Sequence, residues 1–327
     1  MSEGYASWTA LAAALKAKAQ QDLKNGTTTK SVHEQLTLAR FDRFLSRVFA
    51  DGGDGWMLKG GGAMLARIPD TRATKDLDLG TDQDLDDAIR DLEQRVRVDF
   101  GDHLRFELVR TIATGRGSNQ PGVRLRKAVF VARDAETGRN LGEVSVDVAL
   151  TPAPIGKPDV VQPANRMALG KKLRTSPYRL YPLADHVADK VSGVMSTFGG
   201  RPSTRVKDLV DLVVIAGTQQ LNARELQKAL DARRATGQLS PENVTFLIPR
   251  PWTTTAGRRE FERLAHLVGT DLNPVNAEAL VGRMVDPALS SDPIPEAVTW
   301  VPGHGWVGGP EQTASRSHER RNKLPQR

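Results

Sequence analysis

The sequence predicts an α/β (α+β) protein, in which a first part of mixed strands and helices precedes a mainly helical C-terminal domain. Apolar and polar residues alternate most clearly between residues 104 and 149, as expected for strands of a sheet. From residue 183 onward, apolar residues recur at helical spacing instead. A chain of 327 residues, of which 39% are hydrophobic, is long enough to bury the cores of two domains.

Composition excludes several classes of protein. The chain has no cysteine, so disulfides and cysteine-bound zinc or iron–sulfur sites are excluded. No apolar run reaches the roughly 18 residues of a membrane span and no signal-peptide pattern opens the chain, so we expect a cytoplasmic protein without membrane contact. The net charge of +7 favours polyanionic partners, although residues 315–327 alone hold five basic residues and one acidic residue.

The patterns divide the chain into three segments. Residues 1–160 are predicted to form the first domain, which begins with two helices, and residues 161–300 the helical domain. A proline-rich stretch at 151–158 separates them. Residues 301–327 are predicted to form a basic, flexible tail. Ser31 and Glu34 have the spacing of a capping box for the second N-terminal helix.

One stretch predicts a strand, a glycine turn and a helix in succession. The apolar run at 56–58 stops at Lys59 and is followed by Gly60, Gly61 and Gly62. Glycine permits positive φ and close approach of a ligand, and the N–H groups of a helix start favour an anion. A phosphate group therefore suits this loop, and a tight turn without a ligand is the alternative.

Two aspartates follow the glycine turn on a strand predicted at 75–79. Because side chains alternate along a strand, Asp76 and Asp78 point to one face, with Cα atoms about 7 Å apart. Neighbouring carboxylates repel each other, and a divalent cation removes this repulsion. Mg²⁺ takes one or two carboxylates and completes its shell with water and phosphate. The alternative is a solvated strand edge neutralised by Arg72 and Lys75.

The glycine turn and the aspartate pair together resemble a known family. The segments LKGGGAML at 58–65 and RATKDLDL at 72–79 are similar to nucleotidyltransferase toxins of the AbiEii/AbiGii type, a group that includes the MenT toxins. The resemblance covers residues 40 to 215. It implies a DNA polymerase β-like nucleotidyltransferase domain with a mixed sheet, within residues 1–160. It also implies a toxin–antitoxin system with a cognate antitoxin, and Mg²⁺-dependent transfer of a nucleotide from an NTP to RNA, for several members the tRNA 3′ end, which blocks translation.

The resemblance also assigns the phosphate contacts. The expected contacts are Lys59, Gly60, Gly61, Gly62, Thr74 and Lys75. The family's small hydroxyl residue after the paired glycines is replaced by Gly62 here, so we expect Thr74 to substitute for it.

A third carboxylate is expected on a later strand, at 142–149. Asp147 lies there within an alternating run of valines, where an aspartate is unusual unless something occupies its face of the sheet. In polymerase β-like enzymes a third carboxylate comes from such a strand. The resemblance therefore implies that Asp147 joins Asp76 and Asp78 as a metal ligand and catalytic residue, and acts as the base. A structural aspartate is the alternative.

The C-terminal domain contributes the remaining expected catalytic residues. Asp189 and Lys190 resemble a functional lysine motif of the family, in which the lysine binds the triphosphate. The segment RVKDLVDL at 205–212 resembles the family's R-x-x-D-L-x-D-L segment, which makes Asp208 and Asp211 candidates. The alternatives are a lysine that snorkels to solvent, and surface ion pairs of Arg205 with Asp208 or of Lys207 with Asp211.

Two groups of basic residues are candidate contacts for phosphate or RNA. Arg124 and Arg126 lie on a strand predicted at 123–132. A basic stretch follows the proline-rich segment and comprises Arg166, Lys171, Lys172 and Arg174. Exposed cations without a ligand are the alternative at both places.

The expected reaction is in-line attack of an RNA 3′-hydroxyl on the α-phosphorus of the NTP, with release of pyrophosphate. Three alternatives stay open: a nucleotidyltransferase for an antibiotic or a protein, a non-catalytic nucleotide-binding regulator, and a kinase-like phosphotransferase. The positive net charge disfavours a pocket for a cationic drug. The lack of an H-R-D segment disfavours a protein kinase.

Overall fold

The computed structural model describes residues 4–69, 71–114, 125–151, 153–290, 292–295 and 297–308. Over these residues the chain forms two compact units, divided between Pro182 and Leu183. The sequence placed the boundary after residue 160. The division falls later because the strands at Asp159–Val161 and Tyr178–Leu180 still belong to the sheet of the first unit.

In the described part of the first unit, seven strands form one mixed sheet. The strands are β1 (Trp56–Lys59), β2 (Leu77–Thr81), β3 (Leu104–Thr114), β4 (Leu125–Asp134), β5 (Asn140–Leu150), β6 (Asp159–Val161) and β7 (Tyr178–Leu180). Their order across the sheet is β3-β4-β5-β2-β1-β7-β6. β2 pairs with β5 and β1 with β7 in parallel, whereas the other neighbouring pairs are antiparallel. The expected mixed sheet is therefore confirmed.

Four helices accompany this sheet in the described residues. They are α1 (Trp8–Lys24), α2 (Val32–Val48), α3 (Gly60–Arg67) and α4 (Leu85–Val96). The predicted capping box opens α2, with Ser31 and Glu34 each bonding the other's backbone N–H. α3 follows β1 directly, as the predicted succession of strand, glycine turn and helix requires.

One face of the sheet carries the hydrophobic core. Leu77 and Leu79 of β2 lie beside Val146 and Val148 of β5, and all four are fully buried. Apolar residues of α2 and α4 belong to the same cluster. Because side chains alternate along a strand, Asp78 and Asp147 point to the opposite face, which we call the site face.

The second unit is mainly helical, which confirms the prediction. Its α-helices are α5 (Leu183–Met195), α6 (Val206–Thr218), α7 (Ala223–Ala235), α8 (Thr255–His266) and α9 (Pro274–Leu289). Two short strands, at Thr197–Phe198 and Arg201–Pro202, form a hairpin between α5 and α6. No helix in the described ranges has the length and apolar content needed to cross a bilayer.

The predicted tail at 301–327 overlaps a small antiparallel sheet. Its strands lie at Leu221–Asn222, Thr299–Val301 and Gly305–Val307. Trp300 is buried in this sheet, and its Nε1 donates to the carbonyl oxygen of Ala216 at 2.9 Å. Residues 301–307 therefore belong to the folded unit, and residues 309–327 of the predicted tail lie outside the described residues.

A buried ion cluster ties α2 to the turn before β3. Arg47 and Asp102 are both fully buried, and the guanidinium donates to the two carboxylate oxygens at 2.9 and 2.6 Å. Arg43 Nε donates to the same carboxylate at 2.7 Å. Burial raises the pKa of Asp102, but the hydrogen bonds and charges of Arg47 and Arg43 outweigh burial and hold this pKa below its usual value of 3.8.

Asp102→Asn is expected to lower the free energy of unfolding by about 3–5 kcal/mol at neutral pH, because Arg47 is left buried without a counter-charge and Arg43 keeps only its longer contact with Asp42, at 3.7 Å. The folded-state pKa of Asp102 is lowered, so its contribution is present above the usual value of 3.8 and is lost as the pH falls through the folded-state pKa. Urea denaturation at neutral and acidic pH measures both effects, and the gap between wild type and variant should shrink on acidification.

Glu93→Gln is the matched control, because it breaks an exposed ion pair with Arg97. Its effect should stay below about 0.5 kcal/mol at every pH. Similar losses for the two variants would contradict the role assigned to the buried cluster.

Candidate active site

Asp78 and Asp147 lie side by side on the site face. The parallel pairing of β2 and β5 makes them register partners on adjacent strands. The side chain of Asp147 is 20% exposed, and Asp78 is half-buried. Strands lie about 4.8 Å apart, so these two like charges repel each other unless cations lie nearby. Two of the three proposed metal ligands are thus brought together.

The third proposed ligand, Asp76, lies immediately before β2. The strand begins at Leu77, two residues later than the sequence predicted. Asp76 is half-buried, and the hydroxyl of Thr74 donates to its backbone carbonyl oxygen at 3.0 Å and to its Oδ1 at 3.4 Å. Thr74 is buried and Lys75 is exposed, so the two proposed phosphate contacts differ in accessibility.

The glycine turn packs directly against Asp78. Gly60 has φ +54°, and a Cβ added to it would lie 1.8 Å from Asp78 Oδ2, so only glycine fits at this position. A Cβ at Gly61 would lie 2.9 Å from Thr74 Oγ1. The N-cap residue of α3, Lys59, makes no side-chain capping hydrogen bond. The N–H groups of a helix start are a feature that binds phosphate elsewhere.

Two lysines flank the carboxylates in the same cross-strand row. Lys59 of β1 is the register partner of Asp78, and Lys127 of β4 is the partner of Asp147. Lys127 Nζ lies 3.2 Å from Asp147 Oδ1. That oxygen is buried and receives no hydrogen bond from the described residues, so the contact is an ion pair only. Lys59 Nζ lies 4.0 Å from the centroid of the Tyr181 ring. We call Lys127, Asp147, Asp78 and Lys59 the charged row.

Arg126, proposed from the sequence as a phosphate or acceptor contact, does not point into the charged row. It is the register partner of Val148, whose side chain lies in the core, and it forms an ion pair with Asp86 of α4. Arg124, the other residue proposed there, lies outside the described residues. Sequence reasoning missed Lys127, which shares the parity of Asp147 only once the register of β4 against β5 is known.

The donor set on the site face suits a hard divalent cation. Among the described residues, no three histidine, cysteine, aspartate or glutamate side chains lie together as a preformed metal cluster. Mg²⁺ does not require one, because it binds through one or two carboxylates and takes its other ligands from water and substrate phosphates. The adjacent carboxylates of Asp78 and Asp147, with Asp76 two residues away from Asp78, fit this preference.

Lys190, Asp208 and Asp211 form a buried charge cluster in the second unit. Lys190 Nζ donates to Asp211 Oδ2 at 2.6 Å and to Asp208 Oδ1 at 3.2 Å. Lys190 is 5% exposed, Asp211 is 0% exposed and Asp208 is 6% exposed. A snorkelling lysine and a surface pair between Lys207 and Asp211 are therefore excluded. The pair of Arg205 with Asp208, given above as an alternative, is present, with Nε 2.5 Å from Oδ2.

Close packing of α5 against α6 makes this cluster possible. A Cβ at Gly193 would lie 2.9 Å from Asp208 Oδ2 and 3.0 Å from Arg205 Nε. Ser203 Oγ donates to the carbonyl oxygen of Gly193 at 2.6 Å. Asp189, which precedes the lysine, contacts α7 instead, where Arg233 Nε lies 2.5 Å from its Oδ1.

The basic stretch after the proline-rich segment is largely engaged within the first unit. Arg166 is half-buried and donates to Asp42, Gln162 and the carbonyl oxygen of Ser176. The guanidinium of Arg174 lies 4.4 Å from the centroid of the Phe100 ring, and exposed Lys171 donates to the carbonyl oxygen of Gly4. Lys172 is exposed. Arg166 thus has a structural role, which disfavours it as an RNA contact.

Comparison with known proteins gives a family and two structural likenesses. The family model described as nucleotidyl transferase AbiEii toxin, type IV toxin–antitoxin system, matches residues 43–292. The nucleotidyltransferase toxin MenT4 of Mycobacterium tuberculosis H37Rv has a similar structure, with 16% identity, a TM-score of 0.49, and coverage of 83% of this chain and 97% of that one. JHP933 of Helicobacter pylori is similar with 14% identity, a TM-score of 0.41, and coverage of 78% and 94%. No curated protein sequence matches the chain.

The family match includes β1, the glycine turn, the charged row and the buried cluster around Lys190. It spans well over half of the 327 residues. The chain therefore belongs to the AbiEii family of nucleotidyl transferase toxins of type IV toxin–antitoxin systems.

Proposed function

We propose that this toxin is an Mg²⁺-dependent enzyme that transfers a nucleotide from an NTP to RNA, with the tRNA 3′ end as acceptor, and thereby blocks translation in the cytoplasm. A cognate antitoxin is its proposed partner. The observation that carries the proposal is the packing of the Gly60 helix start against Asp78, beside Asp147 on the next strand. A net charge of +7 favours a polyanionic acceptor over a cationic drug.

In the first unit, one set of residues is proposed to bind the phosphates of the NTP and another to bind the metal ion. The proposed phosphate contacts are Lys59, Gly60, Gly61, Gly62, Thr74 and Lys75. Asp76, Asp78 and Asp147 are the proposed ligands of Mg²⁺, which when bound stabilises the charge on the attacking and leaving oxygens. Thr74 Oγ1 lies against Gly61, which supports its role in place of the family's hydroxyl residue.

The proposed reaction is a single displacement at phosphorus. The 3′-hydroxyl oxygen of the acceptor forms a bond to the α-phosphorus, the bond from that phosphorus to the bridging oxygen breaks, and pyrophosphate leaves. The proton of the hydroxyl passes to the carboxylate of Asp147. Most of the rate enhancement then comes from positioning and from charge stabilisation by groups fixed in advance.

Lys190, Asp208 and Asp211 of the second unit are further proposed catalytic residues. Lys190 is the proposed phosphate contact, as a point charge. Asp208 and Asp211 orient its ammonium through the two hydrogen bonds, so the three residues act together.

Asp78→Asn is expected to reduce transfer of label from α-³²P NTP to total tRNA by at least about 100-fold, because an oriented charged group is lost from the site. Each of the four NTPs is tested separately, with Mg²⁺, on a denaturing gel. Asp87→Asn, which removes an exposed carboxylate of α4, is the control and should label tRNA like wild type. Label that persists in Asp78→Asn, or no label with any NTP in wild type, would refute the proposal.

Gly60→Ala is expected to abolish labelling, because its Cβ would overlap the Asp78 carboxylate. Gly101→Ala is the matched control. Gly101 also has a positive φ, +65°, but a Cβ there meets nothing within 4 Å, so this variant has the backbone strain without the clash. Labelling rate and melting temperature are measured for both variants. A labelling loss as large in Gly101→Ala would show that strain alone explains the effect.

Lys190→Met is expected to lower the free energy of unfolding by about 3–5 kcal/mol, because two buried carboxylates lose their common partner. The double variant Lys190→Met/Asp211→Asn removes one of these carboxylates and should regain part of that stability. Urea denaturation and labelling are measured on each variant. We expect labelling of tRNA to be absent in both the single and the double variant. Recovery of labelling together with stability in the double variant would show that Lys190 has a structural role only.

A further inference from the structure

Lys127 is positioned where a cation is needed beside Asp147. Its ammonium lies 3.2 Å from Asp147 Oδ1, on the side of Asp147 away from Asp78. The contact lacks hydrogen-bond geometry, and the oxygen receives no hydrogen bond from any other described residue. The lysine therefore neutralises the carboxylate without fixing it through a hydrogen bond, and the Asp147 side chain as a whole stays 20% exposed.

The pair is also partly accessible to solvent, with side chains 29% and 20% exposed for Lys127 and Asp147. Ion pairs with this exposure are weak, because water competes for both partners. Exchange of one cation for another at Asp147 therefore costs little free energy. By contrast, the ammonium of Lys190 is almost fully buried and donates a hydrogen bond to each of two carboxylates.

We propose that Lys127 is a positioning residue that serves as an internal counter-ion of the site. In the protein without a divalent cation its ammonium neutralises Asp147, and it releases this carboxylate when the cation binds with the NTP. The released ammonium then faces the phosphate charge that the NTP brings. The inference rests on the proposed function, since it takes Asp147 and Asp78 as ligands of the cation.

Lys127 differs in this respect from the other cations near the row. Lys59 lies at the opposite end, next to Asp78, with its ammonium over the Tyr181 ring. Arg126 is adjacent in sequence but belongs to the other face of the sheet, where it pairs with Asp86. Lys127 is thus the cation that competes directly with a divalent ion for Asp147.

The test measures divalent cation binding without catalysis. Mn²⁺, which is detected by electron paramagnetic resonance, is titrated into wild-type protein and Lys127→Met in the absence of NTP and RNA. Removal of the competing charge should tighten Mn²⁺ binding about fivefold in Lys127→Met, as expected for loss of one partly exposed ion pair. Lys127→Arg keeps the charge and should bind Mn²⁺ within about twofold of wild type.

Two further variants separate the local effect from net charge. Arg126→Met removes one positive charge from the same strand on the other face, and its Mn²⁺ affinity should stay within about twofold of wild type, because Arg126 points away from Asp147 and pairs with Asp86. In an Asp147→Asn background, Lys127→Met should cause no further tightening, since the two residues act through one contact. Melting temperatures check that each variant folds. If Lys127→Met does not fold, Lys127→Gln is used in its place.

The outcomes distinguish the inference from the function on which it rests. Wild-type Mn²⁺ binding that Asp78→Asn abolishes, but that Lys127→Met leaves unchanged or weakens, would overturn the counter-ion role and keep the metal site. Equal tightening in Arg126→Met would also overturn it, since net charge would then explain the effect. If wild-type protein does not bind Mn²⁺, or if Asp78→Asn does not change its Mn²⁺ binding, the metal site and the counter-ion role are both overturned.

Discussion

Parallel pairing of β2 with β5 imposes the constraint on which the candidate site depends, because it places two carboxylates of like charge next to each other. The same register puts Leu77 and Leu79 beside Val146 and Val148 in the core. A shift by one residue would bury the aspartates and expose the aliphatic side chains, so the hydrophobic core holds the carboxylates together. Lysines on the two flanking strands, β1 and β4, then offset this repulsion within the same row.

Buried charges serve a different purpose in each unit. Arg47 donates to both carboxylate oxygens of Asp102 inside the first unit, and the pair connects α2 to the turn before β3. Lys190 is equally enclosed, but its two carboxylates come from a single helix, α6. Burial of ions costs desolvation energy that hydrophobic residues would avoid. Such a cluster is therefore better explained by the geometry it fixes than by the stability it adds, which supports a functional role for Lys190.

The parts of the fold and site that could be predicted from the sequence are those that local patterns define. The glycine turn, the aspartate pair and the capping box at Ser31 each depend on residues within a few positions of one another. Lys127 could not be found this way, because its place beside Asp147 depends on the β4–β5 register and on a bulge between Ala132 and Arg133. The strand at Thr299–Val301 escaped prediction for the same reason, since it is defined by pairing with residues far away in sequence.

The formal charges of the charged row cancel, and this balance bears on how the binding of a cation and the binding of a nucleotide are coupled. A divalent cation alone would leave the half-buried row with excess positive charge, which is unfavourable where water is partly excluded. In the proposed reaction, an NTP would bring phosphate charge with the cation and restore the balance, and it would also engage the helix start at Gly60. Binding of cation and nucleotide is therefore expected to be mutually favourable, and by linkage each raises the affinity for the other equally. The row would then respond to the pair of ligands that the proposed reaction requires.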